Sequence, residues 1–387
     1  MRTRGWLLVL LSILALGAVM APLADAKKKK HTRHKAPREN RPLVIGHRGA
    51  SGFVPEHTLQ SYRLAIKLGA DYVEPDLVMT KDHVLVARHE PILGDSDPST
   101  TGDSTNVGDH AEFASRETTR TLDGVATEGF WAQDFTLAEL KTLGARQTRG
   151  GRPTQFNGQF KIPTLQEIIN LVKRQSKKRG RRIGIYPETK HPTFHDSQGL
   201  SLEEPLVATL KKNGLNSRSS PVFIQSFEQS NLQQLDHMTR VRLIQLMDAN
   251  DTDANGNPTY APPFDRPYDW TASGRTGPND TFGFFATDAG LDEVKTYADG
   301  IGPWKVYIVP TAGGGGGAIF PPTDLIQRAH ARGLKVHTWT FRDDAFPTGY
   351  PGGPVDEYLT FYRLGIDGVF SDFPDTAFAA REIFRGL

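Results

Sequence analysis

Residues 72–80 read YVEPDLVMT, an apolar run that carries two acids, Glu74 and Asp76, at alternate positions. Such a run predicts a buried β-strand, and residues two apart in a strand face the same side of the sheet. Both carboxylates are therefore expected on one face. Pro75 between them removes one backbone donor, which fits a strand end better than a strand interior.

Outward from this stretch, short apolar runs alternate with helical patterns along residues 42–387. Eight of these runs are predicted to be strands of one sheet, and they start at Leu43, Tyr72, Ile183, Val222, Val241, Val306, Lys335 and Gly368. Eight strands that alternate with helices predict an α/β fold, a (β/α)8 TIM barrel with insertions in the strand-to-helix loops. A doubly wound open sheet is the alternative, because periodicity does not show closure.

Two long stretches interrupt the alternation, at about 91–159 and about 249–285. Both are rich in polar and turn-forming residues, and the first contains one predicted helix, Leu137–Leu143. Both follow predicted strand ends, where barrel loops enlarge into substrate walls. The glycine run Gly313–Gly317 is interpreted as a mobile connection.

The amino-terminal residues resemble an export signal. Residues 1–26 have a basic start, an apolar run and small residues at Ala24-Asp25-Ala26, so they are expected to be a cleaved signal peptide. An uncleaved membrane anchor is the alternative, but the apolar run is short for a span. Residues 27–41 hold eight basic residues and one acid, which predicts a basic disordered tail. The mature protein is expected to be exported, periplasmic or secreted, without stable membrane insertion, and weak contact of the tail with an anionic surface stays open.

Composition excludes several kinds of function. The 387 residues include no cysteine, which rules out disulfides, thiolate metal sites and thiol nucleophiles. From Pro42 onward the chain has 36 basic and 42 acidic residues. A nucleic-acid-binding protein would carry positive charge on its folded body, so we expect no nucleic-acid partner.

Polar residues concentrate where predicted strands end. His47 and Arg48 end the first strand, His89 follows the second, and Glu188 and Lys190 end the third. Together with the two acids of the second strand, Glu188 gives three carboxylates, which suit a hard divalent cation. The histidines suit proton transfer near neutral pH, and the two cationic side chains suit an anion. The set indicates hydrolysis of a phosphate ester.

With these motifs, the sequence resembles the glycerophosphodiester phosphodiesterase family, most of all its periplasmic type. The resemblance is carried by Gly46–Gly52, Pro55–Thr58, Gly69–Asp82, His89, Pro187–Lys190, Gln225–Phe227, Tyr297–Pro303 and Phe370–Asp375. It implies a TIM barrel, metal dependence, and cleavage of small-molecule glycerophosphodiesters into glycerol 3-phosphate and an alcohol. One departure is Glu90, which stands where the family usually has aspartate.

The resemblance also implies roles for individual residues. The implied metal ligands are Glu74, Asp76 and Glu188, and the acid/base pair is His47 and His89. The implied substrate-binding residues are Arg48 and Lys190 at the phosphate and Trp339 as a wall for the glycerol end. Glu56 is implied to orient the site without binding the metal or the substrate. One divalent cation is expected, Ca²⁺ in preference to Mg²⁺, because an exported setting supplies Ca²⁺ and irregular oxygen cages accept it.

Several alternatives stay open at this point. The nucleophile is water or the glycerol 2-hydroxyl, and the sequence does not assign acid and base between the two histidines. A related barrel could attack intact phospholipids, sphingolipids or wall teichoic acid. A non-catalytic exported binding protein is the alternative from a different class.

Overall fold

Eight parallel strands pair into a closed ring in the computed structural model, which describes residues 41–97 and 103–386. The first strand pairs with the second on one side and with the eighth on the other, through Gly46↔Val73 and Val44↔Val369. The fold is therefore the predicted (β/α)8 barrel and not an open sheet. In chain order the barrel strands are Leu43–His47, Tyr72–Glu74 with Asp76–Met79, Gly184–Ile185 with Glu188–Thr189, Phe223–Ser226, Arg242–Met247, Gly300–Pro303, Lys335–Phe341 and Gly368–Ser371.

One main helix follows each barrel strand. These helices are Leu59–Lys67, Leu165–Arg179, Glu203–Lys212, Gln229–Met238, Asp288–Val294, Leu325–Ala331, Pro354–Arg363 and Pro374–Gly386. Alternate strand residues divide between two cores, as the pleat requires. Val44 packs outward against the helices, whereas its neighbour Ile45 packs in the lumen with Tyr186 and Phe223. The lumen is thus filled by side chains, and the polar strand ends lie at its carboxyl-terminal mouth.

The second and third barrel strands are each interrupted by a proline. The sequence indicated the missing donor at Pro75 but did not predict the interruption at Pro187. Pro75 and Pro187 cannot donate to the sheet, so each strand divides into two short pieces. The proline carbonyls still accept, from the amides of Glu188 and Gln225 at 2.9 and 3.0 Å. The interruptions therefore lie at one level of the barrel, next to the acids.

The predicted sixth strand at Val306 is wrong. The strand is Gly300–Pro303, and Lys305–Tyr307 forms a 3₁₀ turn. A Cβ atom at Gly300 would lie 2.5 Å from the carbonyl oxygen of Lys335. The strand requires glycine for close packing, and a glycine-containing segment has low apparent β-propensity.

The two insertions have structure of their own. The first contains a hairpin, Thr118–Leu122 paired with Val125–Gly129, and the helix Leu137–Leu140, which is shorter than predicted. The second insertion contains the short elements Asp251–Thr252, Pro258–Thr259, Tyr268–Ala272 and Phe282–Ala286. A further short helix, Pro192–Ser197, follows the third barrel strand. Within the described residues, no helix has the length and apolar character needed to cross a bilayer. The expected signal peptide (1–26) and all but the last residue of the expected basic tail (27–41) lie outside the described residues.

Candidate active site

Three buried carboxylates converge at the mouth of the barrel. Oxygen atoms of Glu74, Asp76 and Glu188 all lie within 4.8 Å of one another. Strand register accounts for the cluster, because Asp76 pairs with Glu188 and Glu74 pairs with His47. The three carboxylates therefore lie close together, as the sequence predicts.

The acids crowd one another electrostatically. Burial and the neighbouring carboxylates raise the pKa of Glu74 well above its usual range, and burial followed by Asp76 raises the pKa of Glu188 to about 8 against the opposing charge of Lys190. Burial opposes ionisation of Asp76 as well, but hydrogen bonds from Glu74 and from the His57 ring hold its pKa well below the usual value. Asp76 Oδ1 is buried and has no hydrogen-bond partner among the described residues. This all-oxygen donor set with an unsatisfied oxygen fits a hard divalent cation.

Arg48 is fixed above the acids by both its backbone and its side chain. Its backbone amide donates to Glu74 Oε2 at 2.7 Å, and Nη1 donates to both oxygens of Glu56 at 3.2 Å. Thr148 of the first insertion donates to the same Glu56 carboxylate at 3.1 Å. Glu56 therefore holds the guanidinium in place and does not itself contact the acid cluster.

His47 lies on the other side of the cluster. Its Nδ1 is 2.5 Å from Asp372 Oδ1, and Asp372 is held in turn by Arg152 at 2.6 Å and Arg342 at 3.1 Å. Burial and then Arg48 lower the pKa of His47 to about 4, although Asp372 opposes this shift. Asp372 belongs to the matching segment Phe370–Asp375, but the sequence predicts no role for it.

His89 has a similar partner. Its Nδ1 is 2.8 Å from Glu90 Oε1, so glutamate at this position reaches the ring. Its Nε2 is 3.4 Å from Lys190 Nζ, and Lys190 is 3.2 Å from Glu188. Burial, then Arg48 and Lys190, lower the pKa of His89 to about 4.

Two further residues contact the acids without having been predicted to do so. His57 Nε2 is 3.0 Å from Asp76 Oδ2, and its Nδ1 is 2.8 Å from the hydroxyl of Tyr62. Gln225 Nε2 approaches both Glu74 and Glu188 at 3.4 Å, and in the sequence Gln225 was included only within the matching segment Gln225–Phe227. The signal for His57 was its place in the polar segment after the first strand.

A cavity of about 480 Å³ adjoins Glu188, one of the three acids, and extends between the two insertions. Trp339 is on its wall, anchored by a 2.8 Å hydrogen bond from Nε1 to the Gly302 carbonyl and edge-on to Phe227. Val125 of the first insertion and Phe264 of the second line its outer part and are exposed. The cavity is larger than a glycerol unit and has space for a second group.

The chain is similar to known proteins along most of its length. The model of the "Glycerophosphoryl diester phosphodiesterase family" matches residues 47–376. Glycerophosphodiester phosphodiesterase GDPD6 of Arabidopsis thaliana is 36% identical over 383 residues, which cover 95% of this chain and 93% of the relative. The glycerophosphodiester phosphodiesterase of Haemophilus influenzae is 28% identical, with 97% and 98% covered.

Solved structures share the fold. A glycerophosphoryl diester phosphodiesterase from Silicibacter pomeroyi superposes with a TM-score of 0.58 at 18% identity, covering 89% of this chain and 94% of that one. An Oleispira antarctica phosphodiesterase in complex with sn-glycerol-3-phosphate superposes with a TM-score of 0.56 at 21% identity, covering 88% and 97%. On the extent of the family match and of the Arabidopsis relative, the chain belongs to the glycerophosphoryl diester phosphodiesterase family and is a hydrolase of that family.

Proposed function

We propose that this chain hydrolyses glycerophosphodiesters to glycerol 3-phosphate and an alcohol, with a divalent cation bound by Glu74, Asp76 and Glu188. The observation that carries the proposal is the convergence of these three buried acids within 4.8 Å. His47 and His89 lie beside them, and their rings contact Asp372 and Glu90. The product sn-glycerol-3-phosphate in the Oleispira phosphodiesterase supports the same product here.

Glu74, Asp76 and Glu188 would hold the cation through carboxylate oxygens, and it would supply the chemistry of a Lewis acid. When bound, it would stabilise negative charge on the phosphoryl oxygens. The donor set suits Ca²⁺ and Mg²⁺, and we propose Ca²⁺, because Ca²⁺ accepts irregular oxygen cages and is the more available ion outside the cell. Asp76 Oδ1, which is buried and unsatisfied among the described residues, supports occupancy of this position.

His47 and His89 are proposed to carry out the proton transfers. The Nδ1 atom of each ring lies within 2.8 Å of a carboxylate oxygen, which favours hydrogen on Nδ1 and leaves Nε2 to exchange a proton with the substrate. The pKa of about 4 keeps each ring neutral at pH 7, the form that accepts a proton. An anionic phosphodiester beside the rings raises both pKa values, so one ring can hold the proton that it gives to the leaving alkoxide.

The substrate is proposed to bind through its phosphate and its glycerol. Arg48 and Lys190 face the phosphate as fixed cations, and Trp339 gives the glycerol end an apolar wall. The attacking oxygen is water, or the glycerol 2-hydroxyl with a cyclic phosphate that water then opens. Either route uses the same pair of histidines.

Export is part of the same proposal. Residues 1–26 have the composition of a signal peptide, and residues 27–41 that of a basic tail with weak affinity for anionic surfaces. The mature enzyme would then act in the periplasm or outside the cell, where Ca²⁺ is available. Mass spectrometry of the amino terminus of the exported protein tests this part.

The experiment that tests the activity follows glycerophosphocholine by phosphorus NMR. The expected product is glycerol 3-phosphate, and His47→Ala and His89→Ala are each expected to lower turnover by about 10²- to 10⁴-fold. His110→Ala, which changes a half-buried histidine of the first insertion paired with Glu112, serves as the matched control. Near-normal turnover by a variant that carries both His47→Ala and His89→Ala would refute the acid/base roles. If a phosphate product is released from phospholipid vesicles and not from glycerophosphocholine, a lipid substrate is favoured. If no phosphodiester is hydrolysed, a binding protein is favoured.

A further inference from the structure

His191 lies between two carboxylates, directly after Lys190. Its Nδ1 is 2.6 Å from Asp123 Oδ2 and its Nε2 is 2.7 Å from Glu90 Oε2. Ionised carboxylates only accept hydrogen bonds, so both ring nitrogens must carry hydrogen and the ring is a cation. Burial opposes this charge, but Glu90 and Asp123 raise the pKa of His191 to about 10.

Glu90 connects this cation to the proposed catalytic ring. One of its oxygens accepts from His191, and the other lies 2.8 Å from His89 Nδ1. Burial opposes ionisation of Glu90, yet His191 and then His89 hold its pKa well below the usual range. A charged acceptor at Nδ1 fixes the hydrogen on that nitrogen and leaves Nε2 as the unprotonated nitrogen, 3.4 Å from Lys190 Nζ.

Asp123 connects the cation to the first insertion. It lies in the turn of the hairpin Thr118–Leu122/Val125–Gly129, with φ of 48°, and Gly124 follows with φ of 84°. Two positive φ values in a two-residue turn are typical of a tight hairpin, which holds the aspartate at the tip. His191 also has a left-handed backbone, with φ of 46°, so its ring position depends on this turn of the barrel loop.

We propose that His191 is a positioning residue, which fixes Glu90 against His89 and is itself fixed by Asp123 of the hairpin. The proposal rests on the proposed role of His89. In this arrangement the hairpin of the first insertion, which also lines the cavity, acts on the reaction through the Asp123–His191 and His191–Glu90 hydrogen bonds and the 2.8 Å contact of Glu90 with His89. Outer groups of this kind, when removed, typically cost 10- to 100-fold in activity.

The test compares His191→Asn with Asp123→Asn. Asparagine tolerates the left-handed backbone but cannot donate to both carboxylates as a cation. We expect His191→Asn to lower kcat by about 10- to 100-fold with KM and Ca²⁺ affinity little changed, and Asp123→Asn to lower kcat by a smaller factor in the same way. His110→Asn, which removes a histidine–carboxylate pair of the same insertion away from the cavity, is expected to leave all three values unchanged.

Two further measurements separate positioning from stabilisation. Added to His89→Ala, the His191→Asn change is expected to cause no further loss in kcat, because its effect passes through His89. In ¹H–¹⁵N spectra, the His89 ring is expected to be the Nδ1–H form in the wild type and a mixture in His191→Asn. A merely structural role would lower the melting temperature and move neither readout.

Unchanged kcat in His191→Asn would overturn the proposal, as would a further loss of full size in the His89→Ala background. If His191→Asn does not fold, Asp123→Asn decides, and an unchanged kcat in that variant overturns the coupling to the hairpin. Wild-type kcat in His89→Ala alone would instead refute the proposed function of His89, so the two failures are distinguishable.

Discussion

Asp372 Oδ1 lies 2.5 Å from His47 Nδ1, although 325 residues separate the two along the chain. The closed ring brings them together, because the first and eighth strands are neighbours. Burial opposes ionisation of Asp372, but His47 and then Arg342 and Arg152 hold its pKa well below the usual value. Asp372 thus fixes which nitrogen of His47 carries the hydrogen.

Asp372→Asn is expected to lower kcat by about 10²- to 10⁴-fold, because an amide also presents a donor and allows the wrong ring tautomer. Steady-state kinetics on glycerophosphocholine measure the effect. The matched control is Asp367→Asn, which removes the partner of His330 at the amino end of the same strand and is expected to reduce stability without a comparable loss in kcat. Equal kcat losses in both variants would contradict the role of Asp372.

Arg152→Met is expected to destabilise the fold by about 3 kcal/mol, because the buried Asp372 and its neighbour Asp344 each lose an ion pair. Urea unfolding followed by circular dichroism gives the change in free energy. Arg149→Met, an exposed change three residues earlier, is expected to alter stability by less than about 0.5 kcal/mol. A similar small change for Arg152→Met would mean that the first insertion does not stabilise the barrel through this contact.

Glu188→Gln is expected to weaken Ca²⁺ binding by at least about tenfold, because one of the three carboxylates proposed to hold the ion is replaced by a neutral amide. Calorimetric titration measures the dissociation constant. Glu228→Gln is the control: this buried carboxyl of the cavity accepts a hydrogen bond from the Thr193 amide at 3.1 Å and is not one of the three converging acids. Equal binding by wild type and Glu188→Gln would remove this acid from the site.

His195 gives a prediction for stability against pH. Its ring is fully buried, and burial followed by the charge of His191 lowers its pKa from 6.5 to about 3. Between these values the unfolded chain binds one more proton, so this residue makes stability rise with pH by about 1.4 kcal/mol per unit. In His195→Leu, the slope of unfolding free energy between about pH 3 and 6.5 is expected to be shallower. An unchanged slope would show that His195 is not buried as a neutral ring.

The sequence was sufficient for features that depend on local pattern. The alternation of eight strands with helices follows from periodicity, and the convergence of Glu74, Asp76 and Glu188 follows from polar strand ends. Periodicity alone did not separate a closed barrel from an open sheet. The contact of Asp372 with His47 was not readable, because it depends on closure across the whole chain. The strand Gly300–Pro303 was misplaced because close packing, and not side-chain propensity, selects its glycines.

The hairpin contact was hidden for a different reason. Asp123 meets His191 only because two turns both adopt left-handed backbone, and nothing in local hydrophobic pattern predicts where an insertion folds back. The first insertion contributes Arg152, Thr148 and Asp123 to groups that hold the site. Their sequences indicated only that they follow strand ends.

Metal dependence is tested most directly by turnover of glycerophosphocholine after treatment with EDTA. We expect activity to fall by at least about 10²-fold and to return when Ca²⁺ is added back, with one ion bound per chain in a parallel titration. Turnover that persists unchanged in metal-free protein, with no ion bound at the three acids, would contradict the account.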